Sequence, residues 1–186
     1  MKPNYYRDVW ILGPASNDCP GSFPRGFVNA VKRKWWGQKR LWVCSGGFHD
    51  ASGICVDIRP EVKPTVIADA CILPFPSSSF DFVLADPPYS EAEAESLYGL
   101  PYLSMTKCIN EMIRVCQPGG RVLLLHRLIP GANSQTDTGK MEVEAVVGVG
   151  VLGAWANIRA LTVFRKRHEL SHFNGPAPDS LKDGEG

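Results

Sequence analysis

Apolar positions recur at three- and four-residue steps in two stretches of the chain and gather into short runs elsewhere. From Pro24 to Trp36, the residues Phe27, Val28, Val31 and Trp35 fall on one side of a helix. Met105, Cys108, Ile109, Met112, Ile113 and Cys116 keep i, i+3, i+4, i+7, i+8, i+11 spacing, which predicts an amphipathic helix over 101–117 stopped by Gln117-Pro118-Gly119-Gly120. Four short runs predict buried strands: Leu41-Trp42-Val43-Cys44, Gly53-Ile54-Cys55-Val56-Asp57, Thr65-Val66-Ile67-Ala68-Asp69 and Phe80 to Ala85. Arg121 to His126 predicts a fifth strand, and the stretches 143–152 and 159–166 an antiparallel pair at the end of the sheet. Alternating helices and strands predict an α/β fold, a mostly parallel sheet covered on both faces. Only nine residues separate Gly47 from Asp57, too few for a strand-helix-strand crossover, so the first crossover helix is missing or a single turn.

At 186 residues the chain suits one domain that buries ~70% of its unfolded surface. The expected bounds are 1–167 for the domain and 168–186 for a Gly-, Pro- and charge-rich disordered tail. With 20 basic and 19 acidic residues, no global field draws a polyanion, and any such attraction is local. Lys32, Arg33, Lys34, Lys39 and Arg40 around Trp35-Trp36 form one candidate cluster, and Arg165, Lys166, Arg167 and His168 another. Either alone reads first as a solvated helix face or strand end. Cysteines 19, 44, 55, 71, 108 and 116 show no Cys-x-x-Cys spacing and no companion His pattern, which argues against a zinc or redox site; most read as small core residues, and no metal is expected. No leader peptide is recognised and no apolar stretch approaches ~20 residues, so the expectation is a cytoplasmic protein without membrane contact.

The chemistry concentrates where strands end. The first four strands deliver Ser45-Gly46-Gly47, Asp57, Asp69 and Asp86 at their C-terminal ends, where open α/β sheets bind ligands. Asp86 opens Asp86-Pro87-Pro88-Tyr89. Prolines fix φ, lack an N–H and hold the preceding residue extended, yet keep their carbonyls as acceptors. The Asp86 carboxylate and a proline carbonyl can therefore converge on the two protons of one planar amine, and Tyr89 can stack on its ring. Alone, the tetrapeptide is as readily a structural strand exit.

Taken together, these residues resemble class I S-adenosylmethionine-dependent methyltransferases, most closely the amino-methyltransferases of adenine N6 or cytosine N4. The tetrapeptide is similar to their Asp/Asn/Ser-Pro-Pro-Tyr/Phe/Trp motif. Cys71-Ile72-Leu73-Pro74-Phe75 followed by Ser79 to Ala85 resembles their D-A-x-x-L-P-F…S-F-D-x-V stretch, and Glu111 to Gly120 their E-x-x-R-V-L-x-P-G-G segment. Phe23-Pro24 resembles a cofactor-contacting segment of circularly rearranged members.

The resemblance implies a Rossmann-like single domain with a seven-stranded, mostly parallel sheet and an antiparallel end strand, the first crossover helix being shortened. It implies S-adenosylmethionine as cofactor, held by Phe23, Pro24, Cys44, Ser45, Gly46, Gly47, Asp57, Ile58, Asp69, Ala70 and Asp86. Asp57 would take the ribose hydroxyls, and Asp69 with the Ala70 backbone the adenine. Asp86, Pro87, Pro88 and Tyr89 would be catalytic. The glycine loop, Cys-Ser-Gly-Gly-Phe, departs from the family's Phe/Gly-x-Gly-x-Gly, and no segment is large enough for a target-recognition domain. Substrate reading then rests on loops 90–104 and 130–142, with Tyr98, Leu100 and Tyr102 in the first and Asn133, Ser134, Gln135 and Lys140 in the second. His126 either contacts the target or is bonded to backbone. Glu91, Glu93 and Glu95 count against unassisted duplex binding.

The expected reaction is methyl transfer to an exocyclic amine in DNA, at adenine N6. Methylation of a base amine in ribosomal or transfer RNA is the nearest alternative. A non-catalytic subunit of a partner methyltransferase and a protein glutamine methyltransferase follow. The expected partner is nucleic acid, DNA before RNA. Trp35 and Trp36 hint at an interface, with a homodimer or with a partner subunit supplying target recognition, although helix-to-sheet packing is the readier use for at least one of them.

Overall fold

The computed structural model describes residues 5–15, 22–130, 140–153 and 158–168. Eight strands form one sheet: β1 (Tyr6–Leu12), β2 (Arg40–Val43), β3 (Ile54–Asp57), β4 (Val66–Ile67), β5 (Phe80–Ala85), β6 (Cys116–His126), β7 (Met141–Val151) and β8 (Arg159–Lys166). Their spatial order is β1-β7-β8-β6-β5-β2-β3-β4. Three helices accompany them: α1 (Phe27–Trp35), α2 (Glu91–Tyr98) and α3 (Met105–Val115).

The period of two along the central strands divides the core. Leu41, Val43, Val83 and Ala85 point to the side of α3, where Cys108, Ile109, Met112 and Ile113 meet them. Trp42, Phe82 and Leu84 point to the side of α1, against Phe27, Val31 and Trp35. Both helices present the faces their spacing predicted. The short helix α2, by contrast, lies in a stretch expected to be a loop. Ser90 caps it by accepting the Glu93 amide at 3.2 Å, and the Glu93 carboxylate reaches back to the Tyr89 amide at 2.7 Å.

Two features of the expected sheet are corrected. It has eight strands, because β1 pairs with β7 in parallel, Tyr6 opposite Ala145 through Leu12 opposite Val151. The antiparallel strand, β8, lies inside the sheet between β6 and β7 rather than at its end. β1 escapes a pattern reading because its inner residues Trp10 and Leu12 alternate with the exposed Val9 and Ile11, leaving no polar face to signal a period of two.

No helix joins β2 to β3. The connection is held by Asp50, whose carboxylate accepts from Arg40 at 2.6 and 3.0 Å, the Trp42 indole at 2.9 Å and the Ser52 amide at 3.0 Å. Arg40 also donates to the Gly37 carbonyl. A buried ion pair with further donors does locally what a packed crossover helix would do.

The segments matching the amino-methyltransferase pattern turn out to be joined. Arg114 is bidentate on Glu111 and donates to the carbonyls of Leu73 and Phe75, while Glu111 accepts the Leu73 amide. The Leu-Pro-Phe turn and the Glu-x-x-Arg helix are therefore two halves of one clamp. Asp81 accepts the amides of Gln38 and Lys39, tying the entry of β2 to β5. Among the described residues, no helix is long and apolar enough to cross a membrane.

Candidate cofactor cavity and amine-accepting site

The C-terminal ends of β2, β3 and β5 surround a cavity of about 340 Å³, within the range of small-molecule sites. Its lining includes Cys44, Asp57, Ile58, Asp69, Ala70 and Ile72 together with Asp86 and Pro88. Carboxylates beside apolar and aromatic side chains suit a ribosyl-purine, so the residues present fit the nucleoside half of S-adenosylmethionine. Tyr98, Leu100 and Tyr102, expected to touch substrate, lie in the wall of this same cavity.

The glycine loop follows a tight path. Cys44 has φ 52° and Gly46 φ 53°, so a left-handed residue stands on each side of Ser45. Cys44 bears that geometry without being glycine, at a cost on the order of 1 kcal/mol. The Gly46 amide donates to Asp57 at 2.9 Å, binding the end of β2 to the end of β3. Asp57 also takes the Arg59 side chain at 3.0 and 3.3 Å, and the Arg59 guanidinium packs 4.5 Å from the Tyr98 ring centre. The acid expected to take the ribose hydroxyls is thus already engaged by Arg59, a residue the sequence did not single out.

The expected cofactor residues are not all brought together. Phe23, Pro24 and Gly47 line a second, smaller cavity of about 230 Å³ with Phe48, across the glycine loop from the first. Phe23 itself is anchored in the core, stacked on Phe27 at 5.2 Å and packed against Trp42 and Phe48. Asp69 is exposed and its carboxylate accepts the Cys71 amide at 2.8 Å, an Asx-type turn that carries the chain beneath the cavity.

Asp86 lines the cavity just beyond the end of β5. Its side chain is 6% exposed, and burial pushes its carboxyl up to about 6, against the lowering effects of Arg159 and Tyr89. The Tyr89 hydroxyl donates to one carboxylate oxygen at 2.5 Å, and Arg159 approaches the other at 3.9 Å. Arg159 also donates to the Tyr89 oxygen at 2.8 Å. Tyr89 was expected to stack on a base; in this arrangement its hydroxyl is held and its ring meets His126 edge-on at 5.2 Å. Burial and the neighbouring Asp86 push the Tyr89 phenol well above its ordinary range, so it remains a proton donor.

His126 contacts backbone on both nitrogens. Nδ1 accepts the Leu128 amide at 2.8 Å, which leaves the proton on Nε2 to donate to the Pro88 carbonyl at 3.3 Å. Burial lowers its pKa and keeps the ring neutral. The Pro88 carbonyl is thereby engaged by His126. Cys44, Cys71 and Cys108 all have thiols raised by burial, which keeps them protonated and chemically quiet.

Neither basic cluster stands at this rim. Arg40 opposite Phe82 and Arg165 opposite Arg121 put both at the other ends of the strands. Arg40 is buried on Asp50, Arg165 pairs with Glu144, and Lys166 donates to the carbonyls of Ile113 and Cys116 at the end of α3. Trp35 is a core residue, and Trp36 packs on Trp42 and Phe82. Asn133, Ser134, Gln135, Cys19 and the expected tail from 169 onward lie outside the described residues. Arg159 and Arg59 are what sequence reasoning missed. The strand spacing that placed 159–166 could have put Arg159 at the catalytic rim, had the strand been threaded antiparallel beside the fifth.

By sequence the chain matches no protein-family model and no curated protein. By structure it is similar to TrmN from Thermus thermophilus, with 21% identity and a TM-score of 0.56 over 79% of this chain and 50% of that one. It is also similar to the [4+2]-cyclase SpnF, with 16% identity and a TM-score of 0.51 over 84% and 87% of the two chains. A SAM-dependent methyltransferase from Aquifex aeolicus is a further neighbour, with 13% identity and a TM-score of 0.48 over 74% and 88%. The chain spans half the length of TrmN. The likeness is one of fold: the chain shares the Rossmann-like, mixed-sheet architecture of these neighbours.

Proposed function

We propose that the protein transfers a methyl group from S-adenosylmethionine to the exocyclic amine of a nucleobase, adenine N6 in DNA being the first substrate to test. The fold alone does not carry this reading, since a [4+2]-cyclase shares it. What carries it is one cavity whose nucleoside-like wall runs into a buried aspartate at a double-proline turn.

The bound cofactor supplies an electrophilic methyl on a sulfonium. The residues supply position and polarity. Asp86 and the Pro87 carbonyl accept the two amine protons, which drives the nitrogen lone pair toward the methyl. With the cofactor's sulfur as the leaving group for the methyl, Asp86 would take the surplus amine proton on its way to solvent. Holding the atoms ~3–3.5 Å apart and in line provides the rest, with no covalent enzyme intermediate. A base in a duplex must be flipped out or presented single-stranded to reach the cavity.

A second reading, a base amine in structured RNA, is favoured by one observation: among the described residues no element stands outside the sheet and its helices to read a DNA sequence, and the basic clusters face away from the rim. RNA tertiary structure would supply that recognition itself.

The test is transfer of labelled methyl to separate DNA and RNA pools, with nucleosides identified by mass spectrometry and Asp86→Ala as control. N6-methyladenine or N4-methylcytosine in DNA supports the first reading and label confined to RNA the second. Cofactor binding without transfer to either pool overturns both and points to a non-catalytic subunit.

A further inference from the structure

The catalytic acid is contacted from across the sheet by a residue outside its own turn. β8 runs antiparallel to β6, with Ala160 opposite His126, so Arg159 emerges at the rim where β6 ends. Its side chain is 15% exposed. One guanidinium nitrogen donates to the Tyr89 oxygen at 2.8 Å and lies 3.9 Å from the free oxygen of Asp86. With the 2.5 Å bond from Tyr89 to Asp86, the three groups close a ring.

We propose that Arg159 is a positioning residue for amine methylation: it holds Tyr89 by its oxygen and keeps the Asp86 carboxylate in the charged form that accepts an amine proton. The proposal rests on the reading that Asp86 receives the substrate amine. The chemical need is plain, because a protonated carboxyl offers one donor and would repel the amine hydrogens it must attract. A buried carboxylate without a cation nearby takes up a proton instead of staying charged.

The other groups facing Asp86 do not supply that cation. Glu93 and Tyr98 come from α2, Cys44 from the end of β2 and Tyr89 from its own turn; Glu93 opposes the charged form, and Cys44 and Tyr98 stay neutral near pH 7. His126, against Tyr89, is neutral. Arg127 lies over the Tyr89 ring at 5.3 Å from its centre but is exposed to solvent, which screens it. A buried guanidinium with one nitrogen reaching both Tyr89 and Asp86 sets orientation and ionisation together, whereas the ammonium of a lysine would supply the charge from a different position.

The experiment compares wild type with Arg159→Gln, Arg159→Lys and Tyr89→Phe. The first readout is the titration of Asp86 itself, followed by carbon NMR of protein labelled at the aspartate carboxyl and assigned with Asp86→Asn. Arg159→Gln should move the Asp86 midpoint upward by at least about one pH unit, Tyr89→Phe by less, and Arg159→Lys should recover part of the shift. At pH 6 a one-unit rise lowers the charged fraction roughly fivefold. In methyl transfer the acid limb of kcat should move by the same amount, with KM for the cofactor unchanged. An unmoved Asp86 midpoint in folded Arg159→Gln, or in folded Arg159→Lys and Tyr89→Phe should the glutamine variant not fold, overturns the proposal. If wild type methylates no base amine while the midpoint shifts as expected, the ionic coupling stands and the assigned reaction fails.

Discussion

Asp50 and Asp86 are both nearly buried aspartates beside an arginine, and the surroundings send them in opposite directions. Asp50 accepts four hydrogen bonds, two of them from Arg40, which holds its carboxyl down at about 2. Among the described residues Asp86 takes one, from Tyr89, with its arginine 3.9 Å away, and burial holds it up at about 6. A structural acid has its acceptor sites filled; the acid we propose to receive a substrate keeps some open and bears the cost of desolvation. The difference separates a pin from a reaction centre more clearly than burial or residue type does.

Four measurements would break or sharpen that contrast. The largest effect belongs to Asp86→Ala, expected to lower methyl transfer at least ~10²-fold without lowering stability; an active variant would remove Asp86 from the chemistry. Next, Asp50→Asn should cost ~3–5 kcal/mol in urea unfolding, because Arg40 would be left buried without its counter-charge. The same acid fixes a pH window. Its folded value lies below the ordinary 3.8, so its stabilisation of ~2 kcal/mol is complete above pH 4 and fades as pH falls toward 2.

Asp86 has the reverse sign. With a folded value above the ordinary one, the native state binds its proton more tightly than the unfolded chain does, and stability declines as pH rises from ~4 to ~6. Asp86→Asn should therefore stabilise the protein by up to ~3 kcal/mol at neutral pH, a gain that thermal unfolding at pH 4 should no longer show. The smallest effect is Gly53→Ala. Its Cβ would stand 2.5 Å from an Asp50 carboxylate oxygen and 3.2 Å from the Trp42 indole nitrogen. A loss of ~1–3 kcal/mol is expected, and in a double-mutant cycle it should not add to the loss from Asp50→Asn.

The parts of this molecule legible in the sequence are those with a period. The faces of α1 and α3, and the four strands ending in Ser45, Asp57, Asp69 and Asp86, follow from spacing alone, although β4 is only two residues long. β1 has no polar face and α2 has few apolar residues, so neither announces itself. The matched motifs were legible as strings, but their joint role was not. Glu111, Arg114 and Leu73 meet only after the chain has crossed from the third strand end to α3. Asp50 with Arg40, and Arg159 with Tyr89, are pairings across space. They carry no local pattern, and only the threading of the sheet brings them together.

β1 also governs when the fold can be completed. It is near the start of the chain, yet its hydrogen-bonding partner β7 lies roughly 140 residues further on, and β7 is joined to the rest of the sheet only through β8. During synthesis β1 cannot take its place in the sheet until β7 and β8 have emerged. Pairings so distant in sequence are the slow ones. In that interval a stretch with exposed Val9 and Ile11 presents an open edge, the kind of surface on which nascent chains aggregate or are met by chaperones.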